Sequence, residues 1–114
     1  LREALDPQHA RITLLAPDAL PAEAFDLVVN ATRLGLAPDD GPPIDLERLG
    51  GVGAVMDLVY APGGTRWVRS ARERGLPAAD GIAMLLGQGA ASFERWWGRP
   101  APVDAMRSAL TGAP

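Results

Sequence analysis

Two short, uninterrupted apolar runs constrain the fold of this chain more than any other feature. They are DLVVNAT, at Asp26–Thr32, and GAVMDLVY, at Gly53–Tyr60. A continuous apolar run of this length is typical of a strand that is covered on both faces, as in parallel sheets. Helical patterns alternate with these runs along the chain. The order of elements therefore predicts an α/β domain, with a mostly parallel sheet flanked by helices.

Local signals indicate the remaining elements. Thr65 is a residue type that caps helix starts, and Gly75 is one that ends helices. Glycine and proline between Arg33 and Gly51 indicate a long surface loop. We expect an edge strand at Arg11–Leu15, a turn or short helix at Pro17–Phe25, a helical turn near Asp45–Leu49, a helix at Thr65–Gly75, a short strand at Leu76–Ala79 and a helix at Pro102–Leu110.

Composition limits the classes of function. The 114 residues fit one small domain, and the apolar content of 47% lies well above that of disordered chains. The net charge of −3 and the scattered arginines argue against a nucleic-acid partner. No apolar run reaches the length of about 18 residues that a membrane helix needs. Without cysteine, and with His9 as the single histidine, a zinc site is not expected.

The first ten residues, LREALDPQHA, are typical of the last two turns of an amphipathic helix that ends at Pro7. The chain starts with Leu1 and shows no signal-peptide pattern. We therefore expect the chain to be the C-terminal portion of a longer polypeptide.

The segment Asp80–Gly98 predicts a helix with two distinct faces. One face carries an apolar stripe at helical spacing, formed by Ile82, Leu85, Leu86, Ala90, Phe93, Trp96 and Trp97. The other face carries Gly81, Met84 and Gln88. A glycine, a flexible thioether and a neutral amide suit a surface that a flat or polar ligand approaches, which makes this face the candidate for function.

Ligands of parallel sheets bind beyond the carboxyl ends of the strands. Alternation along the second strand places Met56, Leu58 and Tyr60 on one side and Val55, Asp57 and Val59 on the other. Together with the second face of the long helix, the strand ends predict a cleft lined by Thr32, Leu58, Tyr60, Gly81, Met84 and Gln88.

Each of these residues also has a structural explanation. Asn30 and Thr32 are common turn formers that bond nearby backbone. The ring of Tyr60 could pack while its hydroxyl faces water, Gln88 could be a solvated amide, and Met84 could fill core space.

Other side chains have a structural role as their default. Trp96 and Trp97 are expected to anchor the core against the final helix. For Asp57, a hydrogen bond to a neighbouring loop is preferred over catalysis, because a buried carboxylate needs a partner. The arginines of the helix at Thr65–Gly75 are expected to form a solvated face; they are Arg66, Arg69, Arg72 and Arg74.

Catalytic signatures are missing from the sequence. There is no glycine-rich phosphate loop and no plausible Ser/His/Asp set. The acidic pair Asp39–Asp40 lies in a glycine-rich loop, where we expect no rigid support for acid–base chemistry. The residues alone therefore predict a binding surface without catalytic machinery.

Three motifs in the same order closely resemble the C-terminal half of shikimate dehydrogenases. They are NATRLG at Asn30–Gly35, MDLVY at Met56–Tyr60 and DGIAMLLGQGAASFERWWG at Asp80–Gly98, and the closing PAPVDAMRSAL resembles the last helix of that family. The resemblance covers about residues 26–110. It implies a Rossmann-like cofactor domain, in a family that reduces 3-dehydroshikimate to shikimate with NADPH on the route to aromatic amino acids.

The resemblance assigns roles to the residues of the predicted cleft. Thr32, Leu58, Gly81 and Met84 match positions around the nicotinamide end of NADP, and Tyr60 and Gln88 match the two positions of this lobe that hydrogen-bond the substrate. The catalytic lysine and aspartate of the family, its glycine-rich pyrophosphate loop and its phosphate-reading segment have no counterpart in this chain. No catalytic residue and no metal ligand is therefore expected here.

This chain departs from the family pattern at three positions. Arg33 stands where serine is common, Ala83 where glycine is frequent, and Leu58 where methionine is frequent. The expected partners are the small-molecule substrate and an N-terminal lobe, without nucleic acid or membrane; a homodimer is left open, and the family implies a cytoplasmic location. Two alternatives also stay open, namely a quinate/shikimate dehydrogenase that uses NAD and a truncated binding module without catalytic activity.

Overall fold

The structure, a computed structural model, describes residues 13–16, 19–37 and 39–112. Its sheet has three strands in the order β1 (Ala24–Asn30), β2 (Gly51–Asp57) and β3 (Ala78–Ala79), and both pairings are parallel. The helices are α1 (Arg66–Glu73), α2 (Ile82–Trp97) and α3 (Val103–Thr111), and a single 3₁₀ turn spans Leu46–Arg48. The predicted α/β class with a parallel sheet is confirmed.

Helix α1 covers one face of the sheet. On that face the register aligns Val28 with Val55, and Val55 with Ala78. The buried core beneath α1 consists of Leu46, Leu49, Val55, Trp67 and Ala71. The core thus lies between the middle strand, the 3₁₀ turn and one helix, and this places the strand ends beside the start of α1.

Polar contacts fix α1 at both of its ends. The hydroxyl of Thr65 accepts a hydrogen bond from the Val68 amide at 3.3 Å, which caps the helix as its sequence predicts. Gly75 follows the helix with a φ of 77°, a left-handed conformation in which glycine is strongly favoured. Arg72 donates from Nε and Nη2 to the carbonyl of Ala78, at 3.1 and 2.9 Å, and so joins α1 to β3.

The opposite face of β1 is uncovered. Leu27 is 52% exposed and Val29 is 45% exposed, while their neighbours Val28 and Asn30 turn toward the α1 face. The expectation that this strand is covered on both faces is therefore wrong in the part of the chain that the structure describes. The run carries apolar side chains on both faces of the strand, but none of the described helices packs on the face of Leu27 and Val29.

Helix α2 packs against α3 and not into the core. A Cβ added at Gly89 would lie 3.0 Å from Cε of Met106, which shows how closely the two helices approach. Leu86 is the buried residue of α2, whereas Trp96 is 77% exposed and Trp97 is 66% exposed. The prediction that both tryptophans anchor the core is wrong, because the packing of α3 on α2 leaves both indole rings largely exposed.

Several predicted boundaries differ from the observed ones. The first strand ends at Asn30 instead of Thr32, because the Asn30 side chain takes the Thr32 amide into a turn. The second strand begins at Gly51 and ends at Asp57. Thr13–Leu15 are not in a strand. Arg11 and Ile12 of the predicted edge strand, the predicted helix at the N-terminus and His9 lie outside the described residues.

The small core makes a direct prediction about stability. Leu49 is 8% exposed and lies in the core, so Leu49→Ala should lower the free energy of unfolding by about 2 to 5 kcal/mol. Leu14 is 80% exposed, so Leu14→Ala should change it by less than about 0.5 kcal/mol. Urea unfolding followed by tryptophan fluorescence measures both variants, and equal losses would contradict this description of the core.

Candidate functional site

The carboxyl ends of β1 and β2 meet the start of α2 at one edge of the sheet. The Leu58 amide donates to the carbonyl of Asn30 at 3.0 Å, which extends the pairing beyond the last residue of β2. The Gly81 amide donates to the carbonyl of Val59 at 3.1 Å. These two hydrogen bonds bring together three of the segments that the sequence predicts to form the cleft.

The side chain of Asn30 is fully used by its own turn. Its Oδ1 accepts from the amide and the hydroxyl of Thr32, at 3.0 and 2.7 Å. Its Nδ2 donates to the carbonyl of Leu34 at 2.9 Å and to Oδ1 of Asp57 at 2.8 Å. An amide side chain has two donor hydrogens and two acceptor lone pairs, so Asn30 has none left for a ligand. Its interpretation as a turn former is confirmed.

Thr32 is exposed and keeps limited hydrogen-bonding capacity. Its hydroxyl donates its hydrogen to Asn30 and accepts from the Leu34 amide at 3.1 Å. A hydroxyl has one hydrogen and two lone pairs, so one lone pair remains. Toward solvent, Thr32 therefore presents a methyl group and a single acceptor.

Asp57 is fully buried and connects three segments. Its Oδ1 accepts from Asn30 Nδ2 at 2.8 Å and from the Val59 amide at 3.0 Å, and its Oδ2 accepts from the Thr65 hydroxyl at 2.7 Å. Every one of these groups is a donor, which satisfies a carboxylate that burial would otherwise destabilise. The preferred structural role, a hydrogen bond to a neighbouring loop, agrees with these contacts.

The predicted alternation along β2 and its exit is confirmed. Val55, Asp57 and Val59 are buried on the α1 side. On the other side, Met56 and Leu58 are half-buried, and Tyr60 is 50% exposed. The phenol of Tyr60 is therefore accessible at the end of this segment.

Gly81 is a glycine because the chain passes too close for any side chain. A Cβ at this position would collide with the carbonyl oxygen of Leu58. Gly81 is buried, and its amide is bonded to Val59. The tight approach fixes where α2 begins relative to the end of β2.

Met84 and Gln88 lie further along α2 on the side of Gly81. At about 100° per residue they lie about 60° and 20° from Gly81 around the helix axis, and Gln88 is about 10 Å along it. Met84 is half-buried and Gln88 is exposed. Since the Cβ direction of Gly81 points at Leu58, this face of α2 is turned toward the exit of β2.

A cavity of about 770 Å³ lies elsewhere, between α1 and the loop that follows β1. None of the predicted cleft residues lines it. Trp67 closes one wall, since its Nε1 donates to the carbonyl of Ile44 at 3.1 Å. Glycine and proline in this loop indicate only a surface connection, so the sequence carries no signal for the cavity.

Asp40 gives that loop a fixed shape. Its Oδ2 accepts from the amides of Gly35 and Ala37, both at 3.0 Å. The expectation that the acidic pair Asp39–Asp40 lacks rigid support is therefore wrong for Asp40. The hydrogen bond from Ala37, together with that from Gly35 and the charge of Arg33, lowers the pKa of Asp40 from its ordinary value of 3.8.

The arginines of α1 are exposed, as expected, yet most of them also hold structure. Arg69 donates to the carbonyl of Gly64 at 2.6 Å, Arg72 bonds β3, and Arg74 pairs with Glu47 at 3.1 Å. An exposed ion pair such as that of Arg74 with Glu47 contributes about 1 kcal/mol or less. Within the described ranges, no three His, Cys, Asp or Glu side chains are placed to hold a metal ion. In the same part of the chain, no helix is long and apolar enough to cross a membrane.

The close approach at Gly81 predicts opposite effects for two glycines. In Gly81→Ala the new methyl group must displace the Leu58 carbonyl, so stability should fall and the amide resonances of Leu58 and Val59 should shift. In the matched control, Gly87→Ala, the methyl group meets nothing within 4 Å. That variant should gain about 0.5 to 1 kcal/mol, because alanine favours a helix over glycine. Thermal unfolding and NMR measure both, and a neutral Gly81→Ala would contradict the described packing.

The lowered pKa of Asp40 predicts how its contribution depends on pH. A carboxyl whose pKa is lower in the folded state contributes stability that is complete well above its unfolded pKa and is lost as pH falls through the folded pKa. The difference in unfolding free energy between the wild type and Asp40→Asn should thus be constant from pH 7 to 5 and shrink below about pH 3.8. An NMR titration of the Asp40 carboxyl carbon with a midpoint at or above 3.8 would be the opposite result.

The family model for the shikimate 5′-dehydrogenase C-terminal domain matches residues 81–111. Curated relatives match over a longer range. A shikimate dehydrogenase (NADP(+)) of Maricaulis maris is 43% identical over 106 residues, which is 84% of this chain and 38% of the relative. Another, of Symbiobacterium thermophilum, is 47% identical over 89 residues, covering 76% of this chain and 30% of the relative. The chain thus spans about a third of the length of the curated relatives it matches.

Solved structures give the same result for the fold. Shikimate 5-dehydrogenase from Thermus thermophilus, in complex with NADP(H) and shikimate, superimposes with a TM-score of 0.65 at 40% identity, over 78% of this chain and 34% of that one. The 5-ketofructose reductase of a Gluconobacter strain superimposes with a TM-score of 0.64 at 29% identity, over 82% and 36%. The resemblance carried by the three motifs is confirmed: in sequence and in fold, this chain matches the C-terminal part of shikimate dehydrogenases.

Proposed function

We propose that this chain is the C-terminal part of an NADP-dependent shikimate dehydrogenase, contributing contacts to the nicotinamide end of the cofactor and to the substrate. The observation that carries the proposal is the meeting of the turn at Asn30–Thr32, the exit of β2 at Leu58–Tyr60 and the start of α2 at Gly81. In open parallel sheets this edge is where dinucleotides bind. The similarity of the chain to dehydrogenases named for NADP(+) supports the same assignment.

The groups at this edge fit a nicotinamide. Leu58 and Met84 are half-buried apolar side chains that can lie against a flat ring, and Thr32 keeps one lone pair for a carboxamide N–H. Bound NADP supplies hydride transfer to and from a carbon of the substrate. The residues of this chain would hold the nicotinamide ring at the strand ends and limit its movement.

The substrate contacts are assigned to Tyr60 and Gln88. Tyr60 is half exposed and Gln88 is exposed, and neither side chain makes a hydrogen bond among the described residues. A phenol and an amide can each donate and accept, which suits a ligand that carries both hydroxyl groups and a carboxylate. From the resemblance to shikimate dehydrogenases, we infer that a lysine and an aspartate of an N-terminal lobe perform the proton transfer and that this chain alone has no turnover.

Two alternatives have specific support. A shikimate 5-dehydrogenase from Listeria monocytogenes, 34% identical with a TM-score of 0.60, has been solved with shikimate and NAD, so an NAD-dependent enzyme acting on quinate or shikimate stays a candidate. The similarity to a 5-ketofructose reductase shows that the same fold carries a different named activity. We favour shikimate with NADP because the curated relatives reported above carry that name.

A chimera tests the assignment. Residues 26–110 of this chain would replace the matching third of the Thermus thermophilus enzyme, and oxidation of shikimate with NADP⁺ would be measured by absorbance. Gln88→Ala and Tyr60→Phe should each raise KM for shikimate or lower kcat/KM by about tenfold or more, since each removes a hydrogen bond to the ligand. The matched control is Ala83→Gln, which adds an amide on the opposite, exposed side of α2 and should leave both constants within about twofold.

Two results would contradict the proposal. One is unchanged kcat and KM in both Gln88→Ala and Tyr60→Phe while the chimera is active. The other is consumption of NADPH by the isolated chain when 3-dehydroshikimate is added. If the chimera does not fold, NMR titration of the chain itself with NADP⁺ should still shift the amides of Thr32 and Gly81 more than those of α3, and equal shifts would count against the site.

A further inference from the structure

We propose that Asp57 is a positioning residue for the candidate site, and that it determines which hydrogen-bonding group Thr32 presents to a ligand. This inference rests on the proposed function, because it takes Thr32 as a contact of the cofactor. Asp57 itself is fully buried and touches no ligand. It acts through Asn30 and through the backbone of Val59.

The first step runs from Asp57 to Asn30. An ionised carboxylate only accepts hydrogen bonds, so the side of the Asn30 amide that faces it must be the NH₂ group. The oxygen of Asn30 then faces the other way, toward Thr32. Rotation of the Asn30 amide would place an oxygen against Asp57 and an N–H against the Thr32 amide, and each arrangement is repulsive. Asp57 thereby selects one orientation of Asn30.

The second step runs from Asn30 to Thr32. Because the amide oxygen of Asn30 is an acceptor, the Thr32 hydroxyl spends its one hydrogen on it, at 2.7 Å. What remains for a ligand is a lone pair. The buried carboxylate therefore makes Thr32 an acceptor, which selects an N–H donor such as a carboxamide over a carbonyl or phosphate oxygen.

A second arm of the network holds the exit of β2. The Val59 amide donates to the same Asp57 oxygen at 3.0 Å, in the segment that leads from Leu58 to Tyr60. One oxygen atom thus fixes the Asn30 turn and the β2 exit relative to each other. The third arm points away from the site, since Oδ2 accepts from Thr65, which caps α1.

The separate arms make the proposal testable by conservative variants. In Asp57→Asn the remaining oxygen can keep Asn30 and Val59, while the new NH₂ faces Thr65, so the arms toward the site survive. Asp57→Ala removes all three arms. Thr65→Ala removes the α1 arm alone and serves as a control for loss of stability without loss of position.

The first readout is hydrogen exchange at the Thr32 and Leu34 amides of the 114-residue chain. Both amides are bonded within the Asn30 turn. Their protection should fall about tenfold or more in Asp57→Ala, as expected for a lost hydrogen bond, and should stay within about threefold of the wild type in Asp57→Asn and Thr65→Ala. If Thr65→Ala exposes the turn as much as Asp57→Ala does, the role of Asp57 is general stability and the proposal is overturned.

If Asp57→Ala does not fold, Asn30→Asp replaces it. That variant keeps an acceptor for Thr32 but sets two carboxylates against each other at the present 2.8 Å contact. Loss of protection at Thr32 in Asn30→Asp, with recovery when Asp57→Asn is added, supports the proposal. Unchanged protection in Asn30→Asp overturns it.

The second readout separates this inference from the proposed function. In the chimera, Asp57→Ala should raise KM for NADP⁺ about tenfold with kcat changed by less than about threefold, because the lost contact is a binding contact. Altered exchange at Thr32 with an unchanged KM would show that Asp57 positions the turn but that Thr32 does not bind the cofactor. Unaltered exchange would refute the positioning role whatever the kinetics.

Discussion

A buried carboxylate that accepts hydrogen bonds from three separate segments organises the carboxyl edge of the sheet. Asp57 is the last residue of β2, and its partners are the end of β1, the exit of β2 and the residue that caps α1. Burial of such a charge is costly unless hydrogen-bond donors compensate it, and removal of one donor leaves part of the carboxylate uncompensated. The strand ends, the loop and the helix start are consequently placed as a unit. Within the described residues, no buried side-chain nitrogen or oxygen lacks a partner.

Apolar packing supports only one side of this arrangement. The core lies under α1, and the opposite face of β1 and the last turns of α2 are exposed. Leu27 and Trp96 are the clearest examples of apolar side chains that the described elements do not cover. The chain spans about a third of the length of its curated relatives. The proposed N-terminal lobe would therefore meet candidate site residues that are already positioned at the strand ends. The hydrogen bonds of Asp57, more than the apolar core, fix the positions of these strand ends.

Local chemistry made a large part of the fold predictable from the sequence. The cap at Thr65, the glycine after α1 and the alternation from Val55 to Tyr60 each follow from one residue and its neighbours. The parallel sheet followed from the pattern of apolar runs. Burial of an apolar face is harder to predict, because it depends on which other element packs there. An apolar stripe shows only that a face favours burial. That is why the burial of Trp96 and Trp97 was predicted wrongly.

In the candidate site, too, local features were predictable from the sequence, whereas contacts between distant segments were not. Residue types at strand ends predicted that Asn30 would form a turn, yet no pattern could show that its four hydrogen-bonding positions are all occupied. Gly81 was singled out because it lacks a side chain, but no sequence pattern showed that a Cβ there would meet the carbonyl of Leu58. Asp40 was dismissed because loop composition says nothing about which amides a carboxylate will meet. Hydrogen bonds between segments that are distant in sequence depend on the three-dimensional fold, so local sequence patterns do not predict them.

The start of α2 is fixed against β2, and its far end carries two exposed tryptophans, so a small tilt of this helix is amplified along its length. Gly81 locks its first residue against β2, while its last turns extend to about 24 Å from that point at a rise of 1.5 Å per residue. A tilt of about 5° at the base would move Gln88 by about 1 Å and the far tryptophans by about 2 Å. Any contact that tilted α2 through Trp96 and Trp97 would thus displace the amide of Gln88 by about half as much as the tryptophans.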